Sequence, residues 1–146
     1  MLKNNVAVAV WWEWVPSIQK VKEIMVRKVM TAKPETNLTE VAKLMRKKRI
    51  GSIVIVRNGS PVGILTESDF IKLVARGTDM KNAVAEDFMH RDVVTCEATL
   101  TVVDALMVMR SEKLRHLPVI RRGKLVGIIS IRDLIAATQF SSLYVI

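Results

Sequence analysis

Cysteine is nearly absent from this sequence, and the single Cys96 excludes an internal disulfide framework. That usage fits a reducing compartment, so the cytoplasm is the expected location. Set in an apolar context, Cys96 reads as a small core residue rather than a nucleophile. Histidine is as scarce: His90 and His116 are the only two, and neither has partners at metal-ligand spacing. No nucleophile–base pair and no glycine-rich phosphate loop are legible, so the chain is not expected to be an enzyme or to need a cofactor. No apolar run approaches the roughly 20 residues that cross a bilayer, and no membrane role is expected. Acidic residues are in deficit, 14 against 23 Lys and Arg, for a formal net charge of +9. This balance favours acidic partners, either phosphorylated small molecules or nucleic acid, although cations scattered over a solvated surface give the same number.

Apolar residues, by contrast, make up 50% of the 146. That is ample for a buried core in one compact domain, or in two small ones sharing a core. The chain also says one thing twice. Val62-Gly63-Ile64-Leu65-Thr66-Glu67-Ser68-Asp69-Phe70-Ile71 returns as Val126-Gly127-Ile128-Ile129-Ser130-Ile131-Arg132-Asp133-Leu134-Ile135, at a constant offset of 64. Asn58-Gly59 matches Arg122-Gly123, and Val41 to Met45 matches Ala105 to Met109, at the same offset.

Each copy reads as helix, strand, strand, helix. Leu38, Val41, Ala42, Leu44 and Met45 follow helical spacing, with Lys43, Arg46, Lys47 and Lys48 off that stripe. The last cations oppose the negative end of the helix dipole. Ser52 to Arg57 is a β-branched run ending at Asn58-Gly59, a hairpin signal, and Val62 to Leu65 forms the return strand. Thr66 to Asp69 then starts a helix that Arg76-Gly77 closes.

Thr66-x-x-Asp69 and Ser130-x-x-Asp133 admit two readings. One is a capping box, in which hydroxyl and carboxylate satisfy helix-end amides. In the other, the hydroxyl and free amides hold a phosphate while the carboxylate accepts both hydroxyls of a ribose. Arg132 lies in the first turn of a helix, where the dipole disfavours a cation and a phosphate would offset the penalty. Its counterpart is Ser68, so the two sites are not electrostatically alike.

Two such units, each ending in V-G-I-(I/L)-(S/T)-x-x-D-(L/F)-I, resemble a tandem pair of CBS domains. Leu114 to Ile120, before a glycine-containing turn, resembles the same family, and the likeness covers roughly Val26 to Ala137. It implies an α/β module of two repeats about a pseudo-twofold axis, each with a short leading strand, and two clefts between them. It further implies a regulatory role, with an adenosine-containing ligand (AMP, ADP, ATP or one like S-adenosylmethionine) in those clefts. The positions implied as ligand contacts are Thr66, Asp69, Ser130 and Asp133, with Ile50, Gly51 and Ser52 in one copy. In the other copy they are Arg115, His116, Leu117 and Pro118, the Arg115-His116 pair lying near phosphates and Arg132 beside them.

The family pattern also places a short strand after a Met-Thr pair. Met30 to Leu38 spans eight positions and Met89 to Val102 thirteen. The second copy is therefore expected to keep this strand, as Val93-Val94-Thr95, and the first to have lost it.

The domains expected are an N-terminal arm with lead-in helix over 1–25, repeats over 26–77 and 78–138, and a tail over 139–146. Ser17 to Val29 and Asn82 to Met89 are expected lead-in helices. The apolar run before Trp11, Trp12 and Trp14 is too short for a signal peptide, and Trp-Trp-Glu-Trp is a poor cleavage site. Such an arm docks on its own chain or on a second subunit, as does the apolar tail, so a homodimer is expected. Function then divides between a stand-alone regulatory module that signals to a separate effector protein and a basic nucleic-acid-binding protein. For the latter, Lys43, Arg46 to Arg49, Arg121, Arg122 and Lys124 would contact phosphates, with no helix-turn-helix or aromatic platform to read bases.

Overall fold

In a computed structural model, the protein is described over residues 19–143, with side chains to residue 137. The tryptophan-bearing arm and the last three residues lie outside the described residues. The first repeat runs α1 (Val21–Ile24), β1 (Thr31–Ala32), α2 (Leu38–Lys48), β2 (Ser52–Arg57), β3 (Ser60–Thr66) and α3 (Glu67–Ala75). The second runs α4 (Ala85–Phe88), β4 (Cys96–Glu97), α5 (Val102–Ser111), β5 (His116–Arg121), β6 (Lys124–Ser130) and α6 (Ile131–Leu143). Each repeat forms a three-stranded sheet, in the orders β1-β2-β3 and β4-β5-β6. In both, the leading strand is parallel to its neighbour and the hairpin is antiparallel.

Local chemistry accounts for these elements. Asn37 caps α2 by accepting from the Thr39 amide at 2.8 Å, and Thr101 caps α5 by accepting from the Asp104 amide at 3.1 Å. Leu38, Val41 and Met45 are buried on one stripe of α2, with Arg46, Lys47 and Lys48 in its last turn. The hairpins turn through Asn58-Gly59 and Arg122-Gly123, all four residues at positive φ. Asparagine and glycine suit that turn, whereas Arg122 carries a backbone penalty there. Both hairpins skip a residue in register, leaving Val62 and Val126 as matched bulges.

The lead-in helices are only four residues each, shorter than the expected 17–29 and 82–89. Both stop because Met25 and Met89 are extended, with ψ 148° at each. The chain then runs onto the opposite repeat. The amide and carbonyl of Val26 pair with Ile128 at 2.9 and 3.0 Å, and those of His90 pair with Ile64 at 3.0 and 3.1 Å. The two repeats thus exchange their lead-in segments.

This exchange corrects the expected loss of the leading strand. The first copy keeps it as β1, with Thr31 opposite Val54 and Ala32 opposite Ile55. In the second copy it is Cys96-Glu97 rather than Val93 to Thr95, with Cys96 opposite Val119. Met25, not Met30, is the equivalent of Met89, and the 64-residue offset holds from α1 onward. Two residues give too little periodicity to mark a strand, so parallel pairing defines it. At the other end, α6 continues through residues 139–143, where the tail outside the repeat was expected to begin.

Packing follows the exchange. One core joins Val21 and Met25 to second-repeat residues such as Val102, Leu117, Ile129 and Leu134. The other joins Ala85 and Met89 to first-repeat residues such as Leu38, Ile53, Ile55 and Leu65. Met89 lies so close over Gly63, and Met25 over Gly127, that a Cβ on either glycine would collide with the methionine. These reciprocal contacts relate the halves by a pseudo-twofold axis.

Candidate functional site: two clefts between the repeats

Each strand-to-helix turn is built the same way. Thr66 is the N-cap of α3, and its amide and hydroxyl donate to Asp69 Oδ2 at 2.9 and 3.0 Å. Ser130 donates to Asp133 Oδ2 through its amide and hydroxyl, both at 2.8 Å, and its Oγ accepts from the Asp133 amide at 3.2 Å. The helices are tied down by Glu67 N to Gly51 O, 3.1 Å, and Ile131 N to Arg115 O, 2.9 Å. Capping is therefore real at both turns, and it occupies one carboxylate oxygen of each aspartate. The other oxygen distinguishes them. Oδ1 of Asp69 accepts from the His90 ring at 2.8 Å, whereas Oδ1 of Asp133 takes no hydrogen bond among the described residues.

Two clefts of about 760 Å³ each open beside these turns. Gly51, Glu67, Arg115 and His116 line both, so the two clefts share a wall at the pseudo-twofold axis. The Asp133 cleft adds Ser130 and Arg132 from the second repeat to Val26, Lys28 and Ile50 from the first. The other adds Thr66 and Ser68 from the first repeat to His90, Asp92 and Pro118 from the second. Neither cleft can be assembled by one repeat alone.

A family model described as CBS domain matches this chain at residues 21–76 and again at 84–139. The chain belongs to the CBS-domain family. Its match with the uncharacterized protein MK0525 of Methanopyrus kandleri is 37% identical over 123 residues, covering 82% of this chain and 63% of that protein. The CBS domain-containing protein YhcV of Bacillus subtilis is 32% identical over 126 residues, 86% of this chain and 89% of its own. Among solved structures, the CBS domain pair of protein MJ0100, in complex with 5′-methylthioadenosine and S-adenosyl-L-methionine, superposes with a TM-score of 0.77 at 27% identity. That superposition covers 84% of this chain and 98% of the other.

Within this CBS pair, the residues read from the sequence divide among three places. Ile50, Gly51, Ser52, Arg115, His116, Ser130, Arg132 and Asp133 come together in one cleft. Thr66 and Pro118 line the other with Gly51, Arg115 and His116, while Asp69 is buried beneath it, held by Thr66 and His90. Leu117 is fully buried in the second core and lines neither cleft. Sequence reasoning missed Lys28, His90 and Asp92, because the lead-in segments were not seen to cross over. The signal was present: Met25-x-Arg27 and Met89-x-Arg91 repeat at the same 64-residue offset.

Burial pushes Asp69 up, but the hydrogen bonds from His90 and Thr66 more than offset it and hold the carboxyl below its ordinary value. Burial lowers His116, the Arg115 and Arg132 charges act the same way, and the Asp133 and Glu67 carboxylates oppose them without reversing the sign. A neutral imidazole therefore stands on the shared wall near pH 7. Burial, with Glu97 adding to it, pushes the Cys96 thiol up to about 11, which leaves it a core group and not a nucleophile. No group of three metal-ligating side chains occurs among the described residues.

Proposed function

We propose that this CBS pair is a regulatory, non-catalytic module that binds an adenosine nucleotide in the clefts between its repeats and signals to a partner protein. The observation that carries this is the meeting, in one cleft, of a carboxylate with one oxygen free of partners among the described residues and a set of cations from both repeats. Asp133 Oδ1 is suited to accept ribose hydroxyls, which strengthens with the acceptor's charge. Arg115, Arg132 and Lys28 are suited to phosphates, while Ile50, Val29 and Met30 offer apolar surface to a base. The adenosine compounds bound to the MJ0100 pair support the ligand class.

A ligand touching both repeats biases their relative placement, and a partner can sense that change. A second copy of the chain is the simplest partner: Ile71 and Val74, one turn apart on α3, are 71% and 68% exposed. Light scattering should give a dimer, and Ile71→Lys should shift it toward monomer. The buried Cys96 places no demand on an oxidising environment, in keeping with a cytoplasmic site of action.

Thermal shift with AMP, ADP, ATP and S-adenosylmethionine tests the ligand class, with GTP and inorganic phosphate as controls. A ligand at about a hundred times its dissociation constant adds roughly 2.7 kcal/mol. One feature favours a second reading: Lys43, Arg46, Lys47 and Arg49 line a shared basic depression beside α2. Retention of nucleic acid that falls steeply with salt, without a nucleotide shift, would support that reading instead.

A further inference from the structure

The two clefts share topology, volume and a wall, yet their lead-in segments arm them differently. At equivalent positions 64 residues apart, Val26 faces the Asp133 cleft and His90 the other. Both backbones are pinned the same way, by reciprocal amide–carbonyl pairs to Ile128 and Ile64. Only the side chain differs. Valine has no polar atom to offer, whereas the His90 ring nitrogen stands 2.8 Å from Asp69 Oδ1. With Thr66 on Oδ2, both oxygens of Asp69 are already taken by the protein. A ribose diol arriving there has to displace the imidazole before it can use both.

The charges repeat the asymmetry. The Asp133 cleft carries Lys28, Arg49, Arg115 and Arg132 against Glu67 and Asp133. The other carries Lys113 and Arg115 against Glu67, Asp92 and Glu112. Lys28 and Asp92 are the sharpest pair, because they are equivalent residues of opposite sign. A nucleotide phosphate is attracted to the first cleft and repelled from the second.

We infer that His90 and Asp92 together close the Asp69 cleft to nucleotide, so that the pair takes one nucleotide, in the Asp133 cleft. This rests on the nucleotide-binding reading above and names which cleft it uses and which residues exclude the other. The His90 side chain is 61% exposed, so the closure is a local competition that substitution can reverse, not a filled cavity.

Calorimetric titration with ATP tests it on the full chain. The parent should bind one equivalent, and Asp133→Ala should weaken that binding by about tenfold or more. His90→Val/Asp92→Lys gives the second cleft the residues of the first and should raise stoichiometry to two, or tighten a weak second site by about tenfold or more. Val26→His/Lys28→Asp should weaken the first site by a similar factor. All four substitutions of these two variants fall on exposed residues and import the equivalent residue, and unchanged melting midpoints without ligand verify folding. Two equal sites in the parent, parent-like binding by Asp133→Ala, or a single site persisting in His90→Val/Asp92→Lys would each overturn the inference while leaving nucleotide binding intact. ATP binding to none of these proteins, with no binding of AMP or ADP to the parent either, would overturn nucleotide binding itself, and the inference with it.

Discussion

Asp69 and Asp133 sit at equivalent helix starts and do the same structural work, yet their surroundings separate them. Loss of either cap should destabilise the fold by about 1 kcal/mol. If Asp133 also holds a ribose, Asp133→Ala loses in addition roughly 1.5–3 kcal/mol of binding, the range for hydrogen bonds to a charged group. Denaturant melts and titrations read the two effects separately. Asp69 has a pH signature as well. Its folded pKa lies below the 3.8 of the free side chain, so its contribution is fully present above that value. The contribution is lost as pH falls through the lowered folded value. The stability gap between the parent and Asp69→Asn should accordingly be constant near neutrality and shrink below about pH 4. A gap that widened in acid would contradict this assignment.

At the scale of elements, the exchanged lead-in segments explain why glycine occurs in both V-G-I strands. Gly63 and Gly127 are not there for turn geometry; Met89 and Met25 occupy the space a side chain would need. Gly63→Ala or Gly127→Ala should cost about 1–3 kcal/mol through overpacking. Trimming the facing methionine should recover part of that, so Gly127→Ala/Met25→Ala should be less destabilised than the two changes summed. Strict additivity in equilibrium unfolding would argue against the contact. The same segments mark the limit of what the sequence made legible. The amphipathic α2, the Asn58-Gly59 hairpin and the capped turns were readable because each is specified by neighbours within a few positions. β1 was not, and β4 was expected a few positions too early, since two residues carry no period and their strand character comes from β2 and β5. The crossing of Met25 and Met89 was hidden for a related reason: a swap between repeats leaves no local pattern, only a longer match at the established offset. His90 was missed as a site residue on that account, being read only for metal spacing.

For the molecule as a whole, the exchange makes the two repeats one structure. Val21 and Met25 complete the second core, Ala85 and Met89 complete the first, and each cleft draws on both. A ligand in the Asp133 cleft would touch the lead-in segment of the first repeat and the helix start of the second, and its binding would then be linked to the mutual orientation of the repeats. The excess of basic residues acquires a local meaning here, because four of the cations gather at that one cleft. The most direct measurement is the thermal unfolding of the full chain with AMP, ADP, ATP and S-adenosylmethionine, against GTP and inorganic phosphate. A saturable upward shift with at least one adenosine compound, exceeding that from phosphate at equal ionic strength, is the expected result. Equal shifts from phosphate and every nucleotide, or no shift at all, would contradict an adenosine-binding role.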